Sequence, residues 1–251
     1  MPSQESPLPT PHLSLVIPAY NEETRLLPSL QRVDAYLSAQ PYVSELLVVD
    51  DGSRDRTAEL VHSFAPSAPD RVRVRLLAHQ SNRGKGAAVR SGCLAAEGEY
   101  VAFTDMDLAV PVEEVGRVLE RLEAGADVAV GTRLHPGGRD MRSSQPPLRR
   151  LAGRLFVLAR RLVALPELHD TQCPLKGFCR RAAQRLFAAQ RLCGWAFDVE
   201  ILYLAKRWGL RVEEVPVHWD HVAGSRLGLR PGVAAQVLWD LLRLRLLHRK
   251  D

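Results

Sequence analysis

The chain is short of cysteine, short of lysine and without a long apolar run. Its cysteines are Cys93, Cys173, Cys179 and Cys193, with no Cys-x-x-Cys pair and no His/Cys spacing suited to zinc. They read as reduced thiols of a cytosolic protein rather than a disulfide framework. No stretch reaches the roughly 18 apolar residues of a membrane-spanning helix. No basic-then-apolar signal segment opens the chain. Acids are missing from Met141 through Pro166.

What is present is ordinary soluble-protein material with a mild basic excess. The 251 residues are 46% hydrophobic and 25% charged, with a net charge of +5 carried mostly by arginine. That length allows one large α/β domain with a substantial core. The excess of cations favours an anionic partner without choosing among nucleotide, phosphate, nucleic acid and membrane. Residues 1–11 hold Pro2, Pro7, Pro9 and Pro11 and read as a flexible tail.

Strand-like and helix-like segments alternate after that tail. Leu13–Pro18, Glu45–Asp50, Val72–Leu77, Tyr100–Thr104 and Asp127–Arg133 read as strands. Between them lie helical patterns: Leu26, Leu27, Leu30, Val33 and Leu37, capped by Asn21 or Thr24; Arg56–Phe64, capped by Ser53 or Asp55; Ala87–Ala96; and one through Val115, Val118, Leu119 and Leu122. Alternation of this kind predicts right-handed crossovers and a mostly parallel, Rossmann-like sheet flanked by helices. Ligands of such sheets bind at the carboxyl ends of the strands. The chemically suggestive groups fall at those ends: Tyr20-Asn21-Glu22, Asp50-Asp51, Asn82-Arg-Gly-Lys-Gly86, Asp105-Met-Asp107 and Arg133.

Two aspartates one residue apart at a strand end can hold a hard divalent cation, Mg2+ or Mn2+, against a diphosphate. Taken alone, the same pair also fits a turn in which one acid caps and the other is solvated. The Gly84-Lys85-Gly86 turn would let backbone and ammonium approach phosphate.

Val16-Ile-Pro-Ala-Tyr-Asn-Glu22, Val48-Val-Asp-Asp-Gly-Ser53, Asn82-Arg-Gly-Lys-Gly86 and Asp105-x-Asp107 together resemble the family 2 glycosyltransferases, which have the A-type nucleotide-sugar fold. The resemblance implies inverting transfer from a nucleoside diphosphate sugar. Farther on, Gly131-Thr-Arg133, Asp170-Thr-Gln-Cys-Pro-Leu-Lys176, Trp195-Ala-Phe-Asp198-Val-Glu200, Glu214–Trp219 and Gly224-Ser-Arg226-Leu227 are similar to the polyprenyl-phosphate branch. They look most like the dolichyl-phosphate glucosyltransferases, which use UDP-glucose, with GDP-mannose users as near neighbours. The chain departs from that branch in reading Cys173-Pro-Leu-Lys176, and in lacking the membrane-spanning segments many members carry.

By that resemblance Asp50 or Asp51 contacts nucleobase and ribose, with Pro18, Tyr20 and Glu22 walling the pocket. Asp107 is the main metal ligand, with Asp105 beside it or on ribose or metal-bound water. Lys85 and its glycine turn either neutralise the diphosphate or simply terminate a strand, and Asp170, Gln172 and Lys176 line the sugar pocket. Arg133 and Arg226 hold the acceptor phosphate, since a guanidinium fork can donate two bonds to it. Asp198 and Glu200 orient arginines or sugar hydroxyls; with an alcohol acceptor Asp198 becomes the base candidate.

The domain expected is 12–230, including a basic amphipathic segment at 141–166, followed by a basic amphipathic helix over 231–251. The first carries Leu151, Leu155, Leu158, Leu162 and Leu165 beside Arg150, Arg154 and Arg161. The second carries Leu238, Leu241, Leu242 and Leu246 beside Arg243, Arg245, Arg249 and Lys250. Such helices fit a membrane surface, a core-packing role or a homodimer contact. The expected location is cytoplasmic, peripheral at the inner membrane face. A nucleic-acid-binding module fits the arginines but leaves the strand-end acids unexplained, so no nucleic-acid partner is expected.

Overall fold

A computed structural model describes residues 9–134, 168–220 and 231–249. The segment 141–166, Arg226 and most of the 1–11 tail lie outside these residues. Pro11, assigned to the tail, is already buried, and its carbonyl accepts from the Glu99 amide.

The first half alternates strand and helix as the pattern predicts. It runs β1 Leu13–Ala19, α1 Leu26–Ser38, β2 Ser44–Asp50, α2 Thr57–His62, β3 Val72–Ala78, α3 Lys85–Ala95, β4 Tyr100–Phe103, α4 Glu114–Glu123 and β5 Val128–Thr132. The second half adds β6 Lys176–Cys179, α5 Arg180–Ala189, α6 Phe197–Arg207, β7 Val212–Pro216 and α7 Pro231–Leu247. The strands form one sheet in the order β3-β2-β1-β4-β6-β5-β7. All neighbours are parallel except that β6 runs antiparallel between β4 and β5.

Alternate residues of the central strands face opposite helix layers. Val16, Leu47, Val49 and Phe103 join one core with α3, α5, α6 and α7. Leu15, Ile17, Leu46 and Val48 join the other with α1 and α4. This is a three-layer arrangement whose sheet is covered on both faces. The edge strand β3 carries Arg73 and Arg75, charges that discourage further strand pairing.

Several local details differ from the pattern. Neither Asn21 nor Thr24 caps α1; the helix starts later, at Leu26, behind Arg25, which makes no side-chain cap. Asn21 instead accepts from the Arg54 amide at 2.7 Å. Asp55 does serve the start of α2, accepting from the Thr57 amide at 3.0 Å. Leu27, counted in the apolar stripe of α1, is exposed. Helix α3 begins at Lys85 rather than Ala87, which places the lysine in its first turn.

Strand order reverses at β1, which has β2 on one side and β4 on the other, so a crevice opens beyond their carboxyl ends. The β1–β4 register runs only from Leu13↔Tyr100 to Val16↔Phe103. Pro18 lies past the last β4 partner, where a missing N–H breaks no ladder bond. Helix α3 lies close over the same strands. A Cβ on Gly92 would come within 2.3 Å of Val16 Cγ1 and 2.9 Å of Val49 Cγ2. Gly92→Ala is therefore expected to lower stability by about 1–3 kcal/mol, read as a shifted urea midpoint, because both valines are locked in the core. An unchanged midpoint would show that the contact is slack.

Candidate active site

The loops after β1 and β2 are knitted together by short polar side chains. The Asn21 amide donates to Ser53 Oγ at 2.8 Å, and Ser53 in turn donates to Asp50. The Glu22 amide donates to Thr57 Oγ1 at 2.8 Å. Asn21 reaches this position with φ 51, a left-handed backbone that asparagine tolerates better than most residues. Glu22 pairs with Arg25 at 2.5 Å.

The structure separates the adjacent acids that sequence left interchangeable. Asp50 accepts from the Ser53 amide at 3.2 Å and from its hydroxyl. Asp51 accepts from the Arg83 amide at 3.0 Å and the Gly84 amide at 2.8 Å, and lies 2.7 Å from His79 Nδ1. Buried with its oxygens committed, Asp51 acts on the site through the loop it holds. That loop needs glycine: Gly84 has φ +99, and a Cβ there would sit 2.6 Å from the Cys193 carbonyl oxygen.

Past Phe103 the chain turns sharply. The Thr104 amide still donates to Val16, and the Leu108 amide returns to the Asp105 carbonyl at 3.1 Å. Asp107 Oδ1 accepts from the Ala109 amide at 3.1 Å. Leu108 is buried with φ 47, a conformation costing a residue with a Cβ about 1–2 kcal/mol. Backbone strain of this kind persists where the surroundings over-determine it, and here it belongs to the turn that carries Asp105 and Asp107.

Cations gather around that turn. Lys85 Nζ lies 2.6 Å from Asp105 Oδ1 and 5.4 Å from the centre of the Trp195 ring. Burial is the largest single influence on Lys85 and opposes its charge. Asp105, Asp198 and Asp107 together outweigh it and hold the ammonium above the usual lysine value. Asp107 is shifted the other way from an ordinary paired carboxylate. Burial, then the Asp105 charge, raise it, against the pull of the Ala109 amide, Lys85 and Arg25. Arg25 was not singled out from sequence, though its place three residues after Glu22 was the available signal.

No cluster of three or more metal-binding side chains occurs among the described residues. Two hard carboxylates in a half-buried turn, one of them disfavoured as a bare anion, fit Mg2+ or Mn2+. Such ions fill their remaining positions with water and phosphate oxygens. Asp105 and Asp107 would hold the ion.

Behind the turn sits a second ion pair. Lys176 is fully buried, with Nζ 2.6 Å from Asp198 Oδ1 and 2.6 Å from the Cys173 carbonyl. Removing either partner of such a pair costs about 3–5 kcal/mol. Lys176 therefore holds the carboxylate of Asp198 in place. Gln172 donates to the Trp195 carbonyl at 3.2 Å.

Arg133 is gripped by Asp170 through Nε at 2.6 Å and Nη2 at 2.7 Å, and its guanidinium carbon lies 5.6 Å from the Trp219 ring centre. Asp170 is thus an arginine-orienting residue. Glu200 does not belong to the pocket: it is buried on α6 and bonds to the amides of Arg191 and Leu192 and to His248. All four cysteines are free, and burial pushes the Cys173 thiol up to about 12.

A parallel sheet with one antiparallel insertion, and a pair of acids beyond its fourth strand, define an α/β transferase of the A-type glycosyltransferase class. The chain belongs to glycosyl transferase family 2, whose sequence profile matches residues 14–187. It is 33% identical to a dolichyl-phosphate β-glucosyltransferase of Trichomonas vaginalis, over 99% of this chain and 77% of that protein. It is 34% identical to the dolichyl-phosphate β-glucosyltransferase of Homo sapiens, over 87% of this chain and 70% of that one. Among solved structures, the fold is similar to glucosyl-3-phosphoglycerate synthase from Mycobacterium tuberculosis in complex with Mn2+, UDP and glucosyl-3-phosphoglycerate. There the TM-score is 0.66 at 21% identity, covering 93% of this chain and 80% of that one. A mannosyltransferase from Pyrobaculum calidifontis in complex with GDP-Man and Mn2+ gives 0.59 at 22% identity, covering 98% and 74%.

The raised Asp107 carboxyl carries a stability consequence. A folded-state value above the unfolded one means the fold favours the protonated acid, so the ionised form weakens the fold at neutral pH. Metal-free Asp107→Asn should then melt at or above the wild-type temperature at pH 7. The difference should shrink as pH falls through the raised value. A lower melting temperature for the asparagine variant at pH 7 would contradict the burial argument.

Proposed function

We propose that the protein is an inverting hexosyltransferase that moves glucose from UDP-glucose to a polyprenyl phosphate at a membrane surface. The observation that carries this reading is the Asp105-Met106-Asp107 turn facing Lys85 at the carboxyl ends of β1 and β4. It is supported by the likeness to dolichyl-phosphate β-glucosyltransferases over nearly the whole chain.

Pro18, Tyr20, Glu22 and Asp50 stand at the ends of β1 and β2, where a base and ribose would lie. Lys85, fixed between Asp105 and Trp195, places a cation where negative charge collects on the departing nucleoside diphosphate. Such a preorganised charge favours the transition state over the ground state. The divalent ion held by Asp105 and Asp107, when bound, neutralises the same diphosphate.

The acceptor side is argued from what Asp198 does. An alcohol acceptor needs a base to take its proton. Asp198 is instead bound to the ammonium of a fully buried lysine. A phosphate acceptor arrives already anionic and needs only to be positioned behind the anomeric carbon, so this commitment of Asp198 favours it. Arg133, its guanidinium plane set by Asp170 and Trp219, is the phosphate-holding candidate among the described residues. Arg226, outside them, is its proposed companion.

A polyprenyl chain lies in a bilayer, so the protein must reach one. No helix among the described residues is long and apolar enough to cross a membrane. The candidate contact is α7. Its apolar residues divide: Leu241 and Leu244 are buried in the core, whereas Trp239, Leu242 and Leu246 are 58%, 55% and 73% exposed. Arg245 and Arg249 are exposed beside them, and the nearest acid, Asp240, is buried against Arg243 at 2.6 Å. An outward apolar ridge with basic flanks suits an anionic headgroup layer.

Labelled UDP-glucose and GDP-mannose, each incubated with Mn2+ and either polyprenyl phosphate or 3-phosphoglycerate, followed by solvent partition, test the reading. Label from UDP-glucose should enter the organic phase only with polyprenyl phosphate. A combined Trp239→Ser, Leu242→Ser and Leu246→Ser variant should lose transfer to acceptor in anionic vesicles while retaining it in detergent. Organic label from GDP-mannose alone would reassign the donor, and label confined to the aqueous phase would overturn the lipid acceptor.

A further inference from the structure

Glu200 and His248 are both fully buried, yet neither faces the crevice. An acid and an imidazole are costly to bury, and here each is a hydrogen-bonding partner of the other. Glu200 Oε1 accepts from the Arg191 amide at 2.9 Å and lies 2.7 Å from His248 Nε2, while Oε2 accepts from the Leu192 amide at 2.9 Å. A ring N–H at Nε2 can donate to that carboxyl oxygen. His248 follows the last turn of α7, and the Arg191 guanidinium donates to the Leu247 carbonyl of the same turn. The end of the C-terminal helix is therefore bound from both sides to the segment 190–194.

That segment is also the wall behind the diphosphate loop. The Cys193 carbonyl accepts from the Ala87 amide at 3.2 Å. Gln190 Nε2 donates to the Gly86 carbonyl at 2.9 Å and to the Leu192 carbonyl at 2.7 Å. Contact is so close that a Cβ on Gly86 would meet the Leu192 and Cys193 carbonyl oxygens, each at 2.9 Å. The next aromatic along, Trp195, lies beside the Lys85 ammonium. A continuous set of bonds thus runs from α7 through His248 and Glu200 to residues 190–195, and from there to the first turn of α3.

The geometry points to α7 as a positioning element of the donor site, with His248 and Glu200 the positioning residues that transmit its docking to the Gly84-Lys85-Gly86 loop. This rests on the reading of that loop as the diphosphate site. The helix whose outer face carries Trp239, Leu242 and Leu246 is then the one whose inner end sets where Lys85 stands. The bonds at the inner end of α7, rather than its packing along the whole length, are what link it to the donor pocket.

Three full-length variants separate positioning from mere stability. His248→Leu removes the donor while filling the space. His248→Gln restores an N–H that can reach Glu200. Leu244→Ala opens a cavity beneath the same helix while leaving the bonds of the tether in place. Two readouts are taken: UDP affinity in the presence of Mn2+ by calorimetry, and amide hydrogen exchange of residues 85–88 without nucleotide or metal.

His248→Leu should weaken UDP binding about tenfold, as a displaced binding group does, and speed exchange at 85–88. His248→Gln should recover both toward wild type. Leu244→Ala should lower the melting temperature and leave both unchanged. Glu200→Gln, which keeps bulk and loses one acceptor, should move in the same direction as His248→Leu if the leucine variant does not fold. Wild-type affinity and exchange in His248→Leu, or equal losses in Leu244→Ala, would overturn the positioning role. Wild-type protein that bound no nucleoside diphosphate would overturn the site reading instead, and the exchange comparison would still judge the tether.

Discussion

Two carboxylates one residue apart, in a turn that water only partly reaches, repel each other unless cations stand close by. Much of the surrounding structure answers that constraint. Lys85 is brought to Asp105 by a helix that starts on a glycine with positive φ, and the loop before it is held by Asp51. Arg25, paired with Glu22, adds positive charge on the Asp107 side. Leu108 accepts a strained backbone so that the turn closes. Even so, Asp107 remains raised, which leaves the site complementary to one more cation and to the anion that such a cation brings.

The same charge logic continues inward. Lys176 and Asp198 satisfy each other beneath the pocket, and the Asp198 carboxylate also adds to the field on Lys85. Cation and anion alternate from the buried floor to the open turn. Each charge is held by an opposite one, so a substrate meets fixed dipoles rather than side chains that must reorganise.

The half of the molecule that alternates strand and helix was legible because its periodicities are strong and its acids fall at strand ends. Strand β6 was not legible, since its four residues, Lys176–Cys179, carry a charged residue at one end and no alternation. Nor does sequence tell Asp50 from Asp51, because adjacent residues differ only in which way the backbone turns them. Glu45 makes the same point from the other side. It is an acid on the same strand as Asp50, fully buried, and bound to Arg75, Ser14 and the Glu97 amide at the far end of the sheet. Residue type alone does not separate that framework acid from a ligand-facing one. Sequence does not pair Arg133 with Asp170 or Lys176 with Asp198, because the partners lie far apart along the chain and only the fold brings them together.

The central claim is that Asp105 and Asp107 hold a divalent ion only in company with a nucleoside diphosphate. Electron paramagnetic resonance of free Mn2+, titrated with protein in the presence and absence of UDP, tests it most directly. With UDP the free-ion signal should fall stoichiometrically with wild-type protein, and it should persist with Asp107→Ala. Without UDP it should change little, because two carboxylates leave most of the coordination shell to water. Equal loss of signal with Asp107→Ala, or UDP binding that ignores Mn2+ altogether, would contradict the account.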